Sequence, residues 1–277
     1  MVLVVAFAVI FHDIALRRPV DGNNTGNNSI CNCSCNISAG LLPAPDKAVG
    51  VIVPLFSNNS HAGDWDKVID AKAAHPDVRI IAIVNPDSGS GQAMNAGIKE
   101  GVQRLKKAGV DVVGYVSTGY SWRDANDVTR EVDNYRDWYG VDGIFFDEVA
   151  HWYGRENYYA GLVNHVKSAM PGAITIGNPG IDDAMSTYAG IFNVLVVYES
   201  EGFPPDYKLN NWQQLYGSYD RSNFAVLSFG IGSLNAGELK AVTKNVGWIF
   251  VTNGVMPNPW KELPPYFEEL VADTEGL

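Results

Sequence analysis

Cysteine is nearly absent from this 277-residue chain, and its three cysteines crowd into one short run, Cys31, Cys33 and Cys35. No disulfide framework can therefore staple the remainder, and an odd number in one segment points to bridging between chains. The run is too tightly spaced for a two-residue zinc knuckle and has no histidine beside it. Histidine is scarce as well: His12, His61, His75, His151 and His165 are scattered without a ligand spacing, so no metal site is expected and no cofactor is implied. Cations are outnumbered, 20 Lys and Arg against 31 Asp and Glu, giving a formal charge of -11 that excludes a basic face tracking nucleic acid. No apolar run approaches the ~20 residues a membrane-spanning helix needs.

The first eleven residues, Met1 to Phe11, are almost wholly apolar and have the length of a signal-peptide core. Residues 1–20 are expected to be a signal peptide or a short membrane-proximal segment, with an extracellular or cell-surface location and a means of associating with a surface. Residues 21–46 turn into Asn, Gly, Ser and Cys, a composition that buries too little apolar surface to fold, and read as a flexible stalk. Asn-x-Ser/Thr acceptors at Asn23, Asn27, Asn32, Asn36 and Asn58 suit glycosylation there, though Asn-rich linkers also produce such triplets by chance. Oligomeric state stays open.

From residue 47 onward one unit repeats: a short β-branched apolar run, a polar turn, then an amphipathic stretch. Strands are expected at 50–56, 78–85, 110–117, 142–147, 173–178, 191–199, 223–229 and 247–252. Helices are expected at 64–74, 92–108, 124–139, 156–169, 181–188, 208–216, 236–244 and 263–272. Continuous apolar runs such as Ile80-Ile81-Ala82-Ile83-Val84 belong to strands buried on both faces, as in a parallel sheet covered by helices. Eight units in residues 47–277 predict an α/β (β/α)8 TIM barrel. An open doubly wound sheet would carry a Gly-rich phosphate turn after its first strand, where this chain has Pro54-Leu55-Phe56-Ser57-Asn58.

In a barrel of this kind the working residues lie at the C-terminal strand ends. Those ends offer Asn85, Ser117, Asn178, Ser228 and Thr252 as ligand-binding groups, with Tyr115, Tyr120 and Tyr198 interleaved. Trp122 and Trp152 are either packed into the outer shell or present flat faces to sugar rings. The run Val141-Asp142-Gly143-Ile144-Phe145-Phe146-Asp147-Glu148 drives a buried strand into two adjacent acids, and the apolar strand Val194-Leu195-Val196-Val197-Tyr198 ends in Glu199. Such acids can also cap the following helix. Two strands apart, however, they can flank a ligand as glycoside hydrolysis requires, with Glu201 the second candidate on that strand. Ser117 and Ser228 sit in no nucleophile elbow and have no histidine to activate them.

Three ordered motifs carry a resemblance: Val84-Asn85-Pro86-Asp87-Ser88-Gly89-Ser90-Gly91, then Gly114-Tyr115-Val116-Ser117-Thr118 after Gly109-Val110, then Gly143-Ile144-Phe145-Phe146-Asp147-Glu148. With Asn178-Pro179-Gly180 and Val196-Val197-Tyr198-Glu199, the chain beyond its first ~45 residues resembles the spherulin-4-like family. The resemblance implies a secreted or surface (β/α)8 glycosidase, endo-acting on a galactosamine-containing microbial polysaccharide. By motif, it implies Asp147 as nucleophile, Glu199 as general acid/base and Glu148 as a supporting carboxylate. The chain departs from the family at Phe56-Ser57-Asn58-Asn59-Ser60 and at Gly89-Ser90-Gly91, which bears on substrate preference. The competing reading is a surface carbohydrate-binding or matrix protein that keeps recognition without turnover.

Overall fold

The computed structural model describes residues 48–56, 63–184 and 186–277; the apolar start, the stalk with its cysteines, Asn58 and His61 lie outside them. Strands β1 (Gly50–Leu55), β2 (Ile80–Val84), β3 (Asp111–Ser117), β4 (Gly143–Asp147), β5 (Ile174–Gly177), β6 (Val194–Glu201), β7 (Phe224–Phe229) and β8 (Trp248–Val251) pair in sequence order. All pairings are parallel and β8 closes onto β1 through Gly50 and Val51. The eight apolar runs are thus one closed barrel. Every residue of β1 and β2 is buried, as strands covered by helices outside and filled inside must be.

The outer layer is α1 (Gly63–Ala74), α2 (Ala96–Lys107), α3 (Ala125–Asn134), α4 (Glu156–Ala169), α5 (Asp206–Tyr216), α6 (Ala236–Thr243) and α7 (Phe267–Thr274). Helix α2 starts later than its apolar pattern, because the Asn95 side chain accepts from the backbone N–H groups of Gly97 and Ile98 and fixes the first turn there. Among the described residues no helix is long and apolar enough to cross a membrane.

The helix expected at 181–188 does not form; only a single 3-10 turn, Ser186–Tyr188, occurs in it. The reason lies in β5, which pairs with β6 only at Ile176–Val194 and Gly177–Leu195. The chain after it takes over the vacant edge: Glu199 N–H donates to the Ile181 carbonyl at 2.8 Å and Ala184 N–H to the Val197 carbonyl at 3.4 Å. Backbone groups committed sideways to β6 cannot also bond along a helix.

Candidate active site

Alternation along β4 sends Phe145 and Asp147 into the barrel, where both line a small cleft at the C-terminal mouth. The chain then reverses at Glu148, a non-glycine residue at φ +52°. Thr118 holds that reversal, its hydroxyl bonded to the carbonyls of Asp147 at 3.0 Å and Glu148 at 2.7 Å, and Tyr120 N–H donates to the Glu148 carbonyl at 2.7 Å. A left-handed non-glycine residue costs about 1–2 kcal/mol, and these bonds over-determine it. The Ser117 hydroxyl donates to the Glu148 carboxylate.

Glu199 reaches the same cleft by a different device. Val196 pairs with Ala225 and Glu199 with Leu227, so Val197 is an extra residue, a β-bulge on β6. Leu227 lines the cleft, and the bulge brings Glu199 into phase with it. Tyr198 is turned outward instead, where it packs edge-on against Trp212 and donates to the Glu201 carbonyl at 3.2 Å.

A single amide joins the two acids. Asn178 Nδ2 donates to Asp147 Oδ1 at 2.9 Å and to Glu199 Oε2 at 2.5 Å, while Asn178 Oδ1 accepts from Gly180 N–H at 3.1 Å. The nearest oxygens of the two carboxylates are therefore no further apart than those two bonds laid end to end. The second oxygens are also held: Tyr115 donates its hydroxyl to Asp147 Oδ2 at 2.7 Å, and Trp260 Nε1–H donates to Glu199 Oε1 at 3.0 Å. Burial pushes the Asp147 carboxyl up to about 6, against the pull of the Tyr115 hydrogen bond. Burial, and then the negative charge of Asp147, pushes Glu199 up to about 7. The Tyr115 hydroxyl is raised well above the ordinary tyrosine value by burial and by the same carboxylate, so it stays a donor.

Trp260 carried no sequence signal, because it lies beyond β8 in a loop with no periodicity. Its loop folds back where Gly254 approaches Pro259 so closely that a Cβ would stand 2.0 Å from the Pro259 carbonyl oxygen. The indole then packs edge-on against Phe229 and tilted on Phe250. Pro54, Phe56 and Ile83 complete an apolar wall that composition alone did not single out.

The remaining sequence candidates divide. Tyr120 stands at the mouth, its hydroxyl raised by burial and by Glu148, Asp147 and Glu199, with Trp152 tilted against it at 6.4 Å. Trp122 is 75% exposed with the Arg155 guanidinium 5.5 Å from its ring, which places it on the surface and not in a packed shell. Asn85 is not brought to the acids: its side chain accepts from Gly89 N–H at 2.8 Å and braces the turn after β2. Ser228 alternates with inward Leu227 and is fully buried away from the cleft, and the Thr252 hydroxyl accepts from Gly254 N–H at 3.1 Å. Glu201 lies further along β6 and is exposed. Among the described residues no group of three or more His, Cys, Asp or Glu is placed to hold a metal ion.

The model of the spherulation-specific family 4, Spherulin4, matches residues 50–274, from the first residue of β1 to the last of α7. The chain belongs to this family. Spherulin-4 of Physarum polycephalum is 32% identical over 224 residues, which is 77% of this chain and 66% of that protein, so this spherulation-specific family 4 chain matches about two thirds of its relative's length. Among solved structures, Aspergillus clavatus Sph3 in complex with GalNAc superposes with a TM-score of 0.72 at 24% identity, over 82% of this chain and 97% of that one. The GH18 chitinase ChiB of Flavobacterium johnsoniae shares the barrel at a TM-score of 0.53 and 9% identity, over 82% and 94%. At these identities the likeness is one of fold.

Proposed function

We propose that this protein is a glycoside hydrolase that cleaves within an N-acetylgalactosamine- or galactosamine-containing polysaccharide, without a metal ion. The observation that carries the reading is the Asp147–Asn178–Glu199 bridge, which keeps two carboxyls of unequal proton affinity close together at the mouth of the barrel. Retaining glycosidases need such a pair about 5–5.5 Å apart, whereas inverting ones hold theirs about 6.5–9.5 Å apart to admit a water. The spacing here supports retention. Asp147, the more acidic member, attacks the anomeric carbon and forms a glycosyl ester as the bond to the leaving oxygen breaks. Glu199, the more basic member, gives that oxygen its proton and then takes one from the water that hydrolyses the ester. Glu148, braced by Ser117, adds negative potential beside the developing oxocarbenium charge.

The substrate class is supported by the N-acetylgalactosamine held by the similarly folded Sph3. Cleavage within a chain is supported by exposed aromatic rings on one side of the mouth, Trp122 and Tyr153, and exposed Val255 and Met256 after β8 on another. The reading has the protein work outside the cell, on the strength of its apolar first segment and Asn-x-Ser/Thr acceptors. Incubation with defined oligomers of N-acetylgalactosamine, galactosamine and N-acetylglucosamine, followed by reducing-end assay and NMR of the first-formed anomer, tests it. New reducing ends with the parent anomer support the reading. Binding of these oligomers with no new reducing ends from any would instead favour the surface carbohydrate-binding protein.

Trp260→Phe separates positioning from packing. The phenyl ring keeps the contacts with Phe229 and Phe250 but removes the N–H that favours ionised Glu199. Turnover is expected to fall about 10-fold, with KM little changed and the alkaline limb of the pH profile moved upward. An unmoved pH profile would reduce Trp260 to a packing residue.

A further inference from the structure

The chain between β3 and α3 follows a backbone path that its residues disfavour. Gly119, Tyr120 and Ser121 stand in succession at φ +53°, +55° and +70°, and only the first lacks the Cβ that makes the left-handed region unfavourable. Glu148, itself left-handed at φ +52°, lies against this run, because Tyr120 N–H donates to its carbonyl. Two strained turns thus meet beside the carboxylates, and strain of this kind persists only where the surroundings over-determine it.

Arg123 supplies that constraint from the far end of the loop. Its Nη1 donates to the Ser117 carbonyl at 2.6 Å, closing the loop at its neck, and its Nη2 pairs with Glu131 of α3. Its own carbonyl accepts from the Tyr158 hydroxyl of α4 at 2.9 Å. One residue therefore ties the end of β3 to both α3 and α4. Glu131 has little room to yield: the second oxygen of its carboxylate is buried with no partner among the described residues, and a Cβ on Gly89 would stand 2.5 Å from it. An exposed Arg–Glu pair holds little, but this pair is partly buried and its guanidinium forks between a carboxylate and a backbone carbonyl.

Ser117, held in this way, is the residue whose hydroxyl donates to the Glu148 carboxylate. The adjoining Thr118 bonds the Asp147 carbonyl twice, through its N–H at 2.9 Å and its hydroxyl at 3.0 Å. We propose that Arg123, with Glu131 behind it, is a positioning residue for the active site: it fixes the turn from Ser117 to Ser121 and through that turn keeps Glu148 and Tyr120 in place at the mouth. The proposal rests on the glycosidase reading for its effect on turnover, whereas the brace itself does not.

Amide exchange and kinetics on the full-length protein test the two parts separately. In Arg123→Gln the Thr118 and Tyr120 amides are expected to exchange at least about 10-fold faster than in the parent, with those of Val113 in β3 and Ile144 in β4 unchanged. On an N-acetylgalactosamine oligomer Arg123→Gln should lower kcat about 10-fold or more, and Arg123→Lys, which cannot fork to both partners, should recover only part of the loss. Ser117→Ala removes the hydroxyl bonded to Glu148 but leaves the carbonyl that Arg123 holds. If Arg123 acts through Ser117, the double variant loses little more than the worse single variant. Losses that multiply in full, or Thr118 and Tyr120 amides that exchange at the parent rate in both Arg123 variants, overturn the proposal. Should Arg123→Gln fail to fold, Arg123→Lys carries the exchange measurement and the cycle. Faster exchange in the variants of a parent that cleaves no oligomer supports the brace and tells against the glycosidase reading alone.

Discussion

Asp147→Asn and Glu199→Gln are each expected to lower kcat/KM on an aminosugar oligomer by at least ~10³-fold, while the circular-dichroism spectrum and the melting transition stay those of a folded barrel. The size follows from the proposed roles: one variant removes the proposed nucleophile, the other the proposed proton donor to the leaving oxygen. The pH profile of the parent should distinguish them. In the proposed reaction Asp147 must be ionised and its carboxyl is raised from 3.8 to about 6, so activity is expected to rise with pH through that region. Glu199 must be protonated and its carboxyl is raised from 4.5 to about 7, so activity falls again above it. The two groups interact, and the limbs of the bell belong to the pair. In Asp147→Asn the repelling charge beside Glu199 is gone, so the residual activity should lose its proton donor at lower pH than the parent. If either variant cleaved at the parent rate, the assignment would fail.

Gly143→Val is expected to destabilise the barrel by about 3 kcal/mol or more, read as a fall in the urea midpoint or as loss of soluble protein. Gly143 opens β4 and pairs with Ile174 on β5, and a Cβ built on it would stand 2.0 Å from the Ile174 carbonyl oxygen. Backbone cannot rotate away as a side chain can, so the two strands would have to separate beneath Asp147 and Asn178. Gly161→Ala is the matched control. Gly161 lies in α4 with nothing within 4 Å of its would-be Cβ, so alanine there should stabilise by about 0.5–1 kcal/mol. A Gly143→Val protein as stable as the parent would show that β4 and β5 tolerate a wider spacing.

The barrel was legible because strands buried on both faces write unbroken apolar runs, and no turn chemistry competes with that signal. Asp147 and Glu199 were legible for the converse reason: an acid closing such a run has no packing explanation. What failed was everything set by where the backbone spends its hydrogen bonds. Residues 181–184 look helical in composition but serve the edge of β6. Tyr198 looks like a mouth residue by its place next to Glu199, yet the extra residue at Val197 leaves it facing Trp212. Ser228 stands at a strand end, but that position alone does not encode its phase, and its side chain is buried away from the cleft. Trp260 depends on a loop whose return is set by a close approach at Gly254, a contact that no local pattern encodes.

A strand has only two phases, and the bulge at Val197 spends one residue on changing from one to the other between Val196 and Glu199. The inward aim of this acid is therefore a matter of arithmetic in the main chain and not of which side chains precede it. Over Val194 to Glu199, apolar residues are interchangeable so long as they pack, but the number of residues is not. The tolerance of this strand lies in spelling, and its constraint in length.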